Sequence, residues 1–273
     1  MAIITISREL AALGDETAHE LAEILHYRLI DKKGLEEKMK NLGAPEQELL
    51  KYDERKPSFF ASFSQGRDEY LHYLKSAVFS EAGQGNCIFI GRGCDALLRG
   101  IPGMLSVFLS APEDIRIERV KSYFQCENNR AEQIIKKSDR DREGFLQYFF
   151  ETKWKDPVNY HLSINTGFLH PRLCAQLIKT AVESNLNEET ETASVLRIKD
   201  MILGQQVAHH ILFDKAIQVH FLEAAVNSGS VTLFGLVNAP PFAEAAMQAA
   251  KEVPAVCSVT SEIQVVQEYG VAR

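Results

Sequence analysis

Arginine and glycine carry the most chemistry in this sequence of 273 residues. Gly91-Arg92-Gly93 follows the apolar run Cys87-Ile88-Phe89-Ile90. Glycines let a ligand approach the backbone, and a planar guanidinium can grip a phosphate through two parallel hydrogen bonds. A turn in which the arginine is purely structural fits the same three residues. Downstream, Arg116, Arg119, Arg130, Arg140 and Arg142 crowd one stretch. Arg116 and Arg119 are three apart, so one helix face would present both to a single ligand. Taken singly, each could instead pair with Glu113, Asp139 or Asp141 at a solvated surface. As a set they point to an anion. Other constellations are poorer: His209-His210 face different sides of a helix and make a poor metal site, and no Ser/His/Asp arrangement follows from spacing. Trp154, the single tryptophan, reads as a packing anchor. Phe59, Phe60, Phe63, Tyr70 and Tyr73 either line an acceptor pocket or pack helices.

Lysine plus arginine number 30 and aspartate plus glutamate 37, a net charge of −7. That lacks the global basic footprint of nucleic-acid binders. Hydrophobic residues at 45% and charged residues at 25% exclude a wholly disordered, fibrous or membrane-embedded chain. The N-terminal apolar run is too short for a signal peptide, and no window is long enough for a membrane span. Five cysteines, widely spaced and without a Cys-x-x-Cys pair, suggest a reduced, cytoplasmic protein with neither a disulfide framework nor a zinc site.

These residues need elements to hold them. Ile3 to Ile6, Cys87 to Ile90, Leu105 to Leu109 and Leu162 to Ile164 are short apolar runs suited to buried strands, and helical spacing follows them. Ala18, Leu21, Ala22 and Leu25 give one such helix, and Arg172 to Val182 another. Ser110-Ala111-Pro112-Glu113 has the form of a capping box before a helix through Tyr123. Strands alternating with helices imply an α/β fold with a mainly parallel sheet, whose ligands bind in loops after Ile6, Ile90 and Leu109. The polar, acidic run Glu183 to Ser194 reads as a linker or helix end, giving domains at 1–185 and 197–273 with 186–196 between them. From Leu186 onward there are 5 basic and 10 acidic residues, leaving 25 of the 30 basic residues to the larger part. The smaller part reads as a helix over Arg197 to Phe213, a half-buried strand over Ile217 to Phe221, and a turn at Asn227-Ser228-Gly229. A returning strand over Val231 to Val237, a helix opened by Pro240 and Pro241, and a strand over Val256 to Val266 complete it. The order αββαβ makes a small α+β domain.

The larger part resembles the cytidylate kinase-like P-loop family over about Ala2 to Val182. The resemblance rests on Ile4-Thr5-Ile6-Ser7-Arg8-Glu9, Leu29-Ile30-Asp31, Ile90-Gly91-Arg92-Gly93, Ala111-Pro112-Glu113 with Arg116 and Arg119, Asp139-Arg140-Asp141-Arg142, and Tyr160 to Thr166, in register. The smaller part is similar to BON domains through the Gly229 to Gly235 hairpin and Val256-x-x-Val259.

The kinase resemblance implies ATP- and Mg²⁺-dependent phosphoryl transfer to CMP or dCMP, chemistry made of positioning and charge stabilisation. It places Arg92, Arg116, Arg119, Arg140 and Arg142 around the transferring group. Asp31, Gly91, Arg92, Gly93, Asp139 and Arg142 fall at the acceptor, and Ser7, Arg8, Gly14, Asp15, Glu16 and Thr17 at the nucleotide phosphates. A working Walker loop carries two glycines, a lysine and a hydroxyl. The stretch Ser7 to Thr17 keeps one glycine and no lysine, and sets Asp15 and Glu16 where phosphates would lie. Arg8 either replaces the lysine or pairs with Glu9 or Glu16. Asp31 either contacts the nucleoside or caps the next helix. Thr17 either meets a metal or fills the helix. An active kinase thus competes with a degraded, non-catalytic binder of phosphate-bearing small molecules. A third reading is a scaffold whose BON domain does the work, as a ligand or membrane-surface module of unassigned ligand.

Overall fold

The apolar run near the N-terminus forms β1 (Ile3–Arg8), buried from Ile3 to Ser7. Residues on both faces of such a strand need cover, which helices on either side of a parallel sheet supply. The computed structural model describes residues 1–52 and 65–266. Two units divide the chain, Met1–Ser194 and Val195–Arg273.

In the first unit β1 leads to α1 (Gly14–Leu25), β2 (Arg28–Ile30), α2 (Lys32–Asn41), α3 (Glu46–Lys51) and α4 (Gln65–Ala82). Then come β3 (Cys87–Ile90), α5 (Cys94–Leu97), β4 (Met104–Ser110), α6 (Glu113–Phe124), α7 (Asn128–Phe150), β5 (Leu162–Asn165) and α8 (Pro171–Asn185). The strands lie in the order β2-β3-β1-β4-β5, all parallel. The carboxyl ends of β3, β1 and β4 are therefore neighbours, and the loops after Ile90, Arg8 and Ser110 open on one edge. This is the α/β architecture expected from the sequence. Strand alternation sorts the core. Ile4, Ile6, Ile88, Val107 and Leu109 pack with Ala18 and Leu21 of α1 and Ile178 of α8 on one face; each such aliphatic side chain contributes roughly 1.5–3 kcal/mol by burial. Phe108, Leu146, Trp154 and Tyr160 cluster separately.

Three details differ from the sequence reading. The residue capping α6 is Pro112, with no side-chain cap bond, so Ser110 belongs to β4 rather than to a capping box. The helix expected from Arg197 begins earlier, inside the acidic run: α9 spans Glu188–His209 with Glu188, Glu189 and Glu191 in its first turn, where acids complement the positive helix end. Asn187 and Thr190 bond each other's backbone N–H groups reciprocally, at 2.8 and 3.0 Å. The first strand of the smaller unit is β6 (His220–Asn227), displaced from Ile217 to Phe221 because Phe221 takes φ 53° and the ladder is irregular between His220 and Glu223.

The second unit continues through a π-turn (His210–Asp214), β6, β7 (Ser230–Val237), α10 (Pro240–Glu252) and β8 (Ser258–Val265). Its order is β6-β7-β8, antiparallel then parallel, with α10 as the crossover. Ser228 (φ 49°) and Gly229 (φ 81°) form the two-residue turn, the left-handed pair that matches strand twist in a hairpin. The expected αββαβ order holds. Among the described residues no helix is long and apolar enough to cross a membrane.

Candidate anion site at the carboxyl ends of β1 and β3

The turn between β1 and α1 is held from outside through its carbonyls. Leu10 O accepts from Arg116 Nε at 2.8 Å, Ala11 O from Arg119 Nη1 at 2.9 Å, and Ala12 O from Thr166 Oγ1 at 2.9 Å. Leu13 O accepts from Thr17 Oγ1 at 2.7 Å. A peptide's N–H points opposite to its C=O, so the N–H groups of Ala11, Leu13 and Gly14 turn to the other side, where no hydrogen-bond partner meets them among the described residues. Leu10 N–H is engaged by Asp139 Oδ1 at 3.1 Å. Ala11 (φ 59°) and Leu13 (φ 51°) occupy left-handed backbone, which a glycine adopts without cost and other residues do not. The turn therefore has the left-handed backbone typical of a glycine-rich loop at residues that are not glycine.

Arg8 crosses this turn. A Cβ on Gly14 would lie 2.5 Å from Arg8 Cγ, and one on Gly91 2.5 Å from Arg8 Nη1. These two glycines make room for the arginine. Its Nε is 3.3 Å from Asp15 Oδ1, so the acid that pairs with it is Asp15 and not Glu9 or Glu16. Glu16 is exposed and acts electrostatically on Arg119, whose pKa burial lowers and Glu16 opposes. Thr17 is fully buried and returns its hydroxyl hydrogen to the helix. Ser7 Oγ accepts from Trp154 Nε1 at 2.9 Å, which makes Trp154 the expected anchor and occupies Ser7 structurally.

Gly91, Arg92 and Gly93 are three successive left-handed residues, with φ 70°, 56° and 69°. They turn Arg92 inward, its side chain 2% exposed. Nη2 reaches Glu36 Oε1 at 2.5 Å, and Nη1 reaches Tyr52 O at 3.1 Å and Tyr70 Oη at 3.3 Å. The guanidinium carbon lies 5.8 Å from the Phe145 ring centre. This arginine braces α2 and α4 against the turn.

A second charged cluster is centred on Glu9 and Asp139. Arg116, 5% exposed, bridges Glu9 Oε1 at 3.2 Å and Asp139 Oδ2 at 2.6 Å. Arg142 Nη1 is 3.9 Å from Asp139 Oδ1, and Lys155 Nζ is 2.5 Å from Glu9 Oε1 and 3.6 Å from Asp139 Oδ2. The structure thus brings Arg116, Asp139 and Arg142 together and ties Arg119 to Thr166, while Arg130 and Arg140 are exposed, outside this cluster. Asp31 caps α2, accepting from Gly34 N at 2.9 Å. Tyr70 and Tyr73 are buried; Phe59, Phe60 and Phe63 lie outside the described residues. Glu9, Glu36, Thr166 and Lys155 are the members that spacing did not single out. Glu9 and Thr166 carried a signal, as the ends of the Ile4 to Glu9 and Tyr160 to Thr166 stretches.

Between the Gly91–Gly93 turn and α7 runs a narrow cleft, lined also by Ser7, Arg8, Arg142 and Trp154. No group of three metal-ligating side chains is found among the described residues, and the five cysteines are free. The residues do not fit a magnesium-bound triphosphate. The lysine is absent, Asp15 and Glu16 stand at the helix end, and the Thr17 hydroxyl hydrogen is committed to Leu13.

The comparisons agree with this architecture. Residues 3–167 match the cytidylate kinase-like family and residues 199–267 the BON domain. No curated protein matches the chain. The crystal structure of an uncharacterized protein from Eubacterium ventriosum ATCC 27560 is similar at 22% identity and a TM-score of 0.55, over 67% of this chain and 99% of that one. Shikimate kinase from Acinetobacter baumannii, in complex with shikimate, is 19% identical with a TM-score of 0.38, over 68% and 94%. YorR protein from Bacillus subtilis, in complex with phosphorylated GDP, is 15% identical with a TM-score of 0.38, over 67% and 96%. Only the first of these overlaps well enough to speak for the fold, and with more than half of its length matched, the chain belongs to the cytidylate kinase-like family and carries a BON domain behind the kinase-like one.

Proposed function

We propose that the first unit binds a phosphate-bearing small molecule, with a nucleoside monophosphate as the leading candidate, and transfers no phosphoryl group to it. The observation that carries this reading is the loop between β1 and α1. Arg116, Arg119, Thr166 and Thr17 hold its carbonyls outward, so N–H groups of a helix N-terminus face the opposite side, an arrangement that favours an anion. The groups a transferring phosphate would need are spent on protein. Arg92 holds Glu36 and Tyr52, and Arg116 and Arg119 hold the loop itself. Phosphoryl transfer depends on cations that strengthen their contacts as charge moves, and fixed braces have little freedom to do so.

A second reading, ATP-dependent transfer to CMP or dCMP, draws on Arg8, which lies across both glycine positions as a stand-in for lysine. One experiment separates the two. Calorimetric titration of the full chain with ATP plus Mg²⁺ and then with CMP, followed by a coupled assay across the nucleoside monophosphates, is expected to show monophosphate binding, no triphosphate binding and no turnover. Turnover above the enzyme-free rate overturns the non-catalytic reading. The BON domain adds a ligand- or membrane-surface module to the same chain, and its acidic balance disfavours anionic lipid.

A further inference from the structure

Resting on the phosphate-binding reading, we infer that Lys155 supplies, from the segment after α7, the movable cation that the phosphate loop lacks. Its Nζ is 2.5 Å from Glu9 Oε1, on the first residue of the loop, and 3.6 Å from Asp139 Oδ2. The other oxygen of Asp139 holds Leu10 N–H. The same ammonium lies 5.3 Å from the Trp154 ring centre, and Trp154 lines the cleft. Lys155 thus stands beside the first residue of the loop and against the tryptophan that lines the cleft.

What distinguishes it from the arginines is freedom to leave. Arg116 keeps Glu9 and Asp139 paired, at 3.2 and 2.6 Å, from a side chain 5% exposed. If Lys155 swings away, neither carboxylate is left as an uncompensated buried charge, the outcome that makes breaking such pairs costly. Lys155 is 49% exposed and sits on a flexible four-carbon stem, so its own pairing contributes little. A phosphoryl dianion is a stronger partner than two carboxylates already shared with Arg116. Arg92, Arg116 and Arg119 are tied to backbone carbonyls, and Arg8 is held beside Asp15. The ligand class is therefore a small molecule bearing a phosphoryl group, held by the loop N–H groups and by the Lys155 ammonium once it leaves Glu9 and Asp139.

The test uses the full chain and its single tryptophan, Trp154. Inorganic phosphate and CMP are titrated against Trp154 emission and, in parallel, by calorimetry, for the native chain, Lys155→Met and Lys155→Arg. The native chain is expected to show saturable binding with an emission change as the ammonium leaves the ring. Lys155→Met should bind at least about tenfold more weakly, which at 1.4 kcal/mol per decade is about 1.4 kcal/mol, and should lose the emission change. Lys155→Arg should recover most of the affinity, with all three thermal midpoints alike. If Lys155→Met binds CMP as tightly as the native chain, the role of Lys155 is refuted while phosphate binding stands. If the native chain binds neither probe, both fall.

Discussion

Replacing Arg92 by alanine removes a guanidinium that is 2% exposed and bonded to Glu36 at 2.5 Å, Tyr52 O at 3.1 Å and Tyr70 Oη at 3.3 Å. The Tyr52 carbonyl loses this donor in a buried setting, which costs about 1–3 kcal/mol. Losing one partner of a fully buried ion pair costs about 3–5 kcal/mol, but Glu36 is 29% exposed and regains water, so its share is smaller. A total of about 2–4 kcal/mol follows. With about 2–4 °C per kcal/mol for a unit of this size, the thermal midpoint should fall by roughly 5–15 °C, and the urea midpoint should fall at unchanged slope. The conservative change Arg92→Lys keeps the charge and loses the planar fork, so its midpoints should lie between those of the native chain and Arg92→Ala. The family resemblance sets Arg92 at the transferring group and the acceptor instead, and in that role Arg92→Ala would abolish monophosphate binding and leave stability nearly untouched. Chemical denaturation beside CMP calorimetry distinguishes the two. An unchanged urea midpoint with lost CMP affinity would refute the bracing role and return Arg92 to the ligand.

Two further outcomes are expected. Ala11→Gly should be neutral or stabilising by up to about 1 kcal/mol, where a mid-element glycine would destabilise, because φ 59° at Ala11 already costs an L-residue about that much; a clear loss in denaturation would show the backbone is not strained there. His210 carries hydrogen bonds to Asp214 at 2.8 Å and to Glu252 at 3.3 Å that raise its pKa, chiefly through Asp214. A raised folded-state pKa adds stability below about 6.5 that is lost as pH climbs through the folded value. Proton NMR titration should place His210 above the ordinary histidine value, and His210→Asn should flatten that part of the pH-stability profile; a midpoint below about 6.5 would contradict it. The depressed pKa values of Asp214 and Glu252 add an acid-side loss, since their contribution is present above the ordinary carboxylate range and disappears as pH falls.

Much of the architecture was legible in the residues. The β1, β3 and β4 runs are apolar on both faces because a parallel sheet covers both, and Asn227-Ser228-Gly229 announced its hairpin because left-handed backbone selects those residue types. The start of α9 was harder, since acids at a helix N-terminus and acids in a linker have the same composition. The β6 boundary was misread because Phe221 breaks the alternation with a left-handed φ that no local pattern signals.

For the site, the sequence by itself determined the inventory: a loop without lysine, two acids after its one glycine, and an excess of arginine in the larger part. It could not assign those arginines. Arg92 looked like the ligand-facing residue because glycines flank it, yet three successive left-handed residues turn it into the protein. Arg116 and Arg119 do share a face, but that face meets the loop's carbonyls. Lys155 carried no motif at all, and only the packing of its segment against Glu9 and Asp139 brings it to the loop. Residue type fixes what a side chain can bond, a local property. Which partner is within about 3 Å depends on contacts between residues more than a hundred positions apart, as for Lys155 and Glu9, and those are set by the packed fold alone.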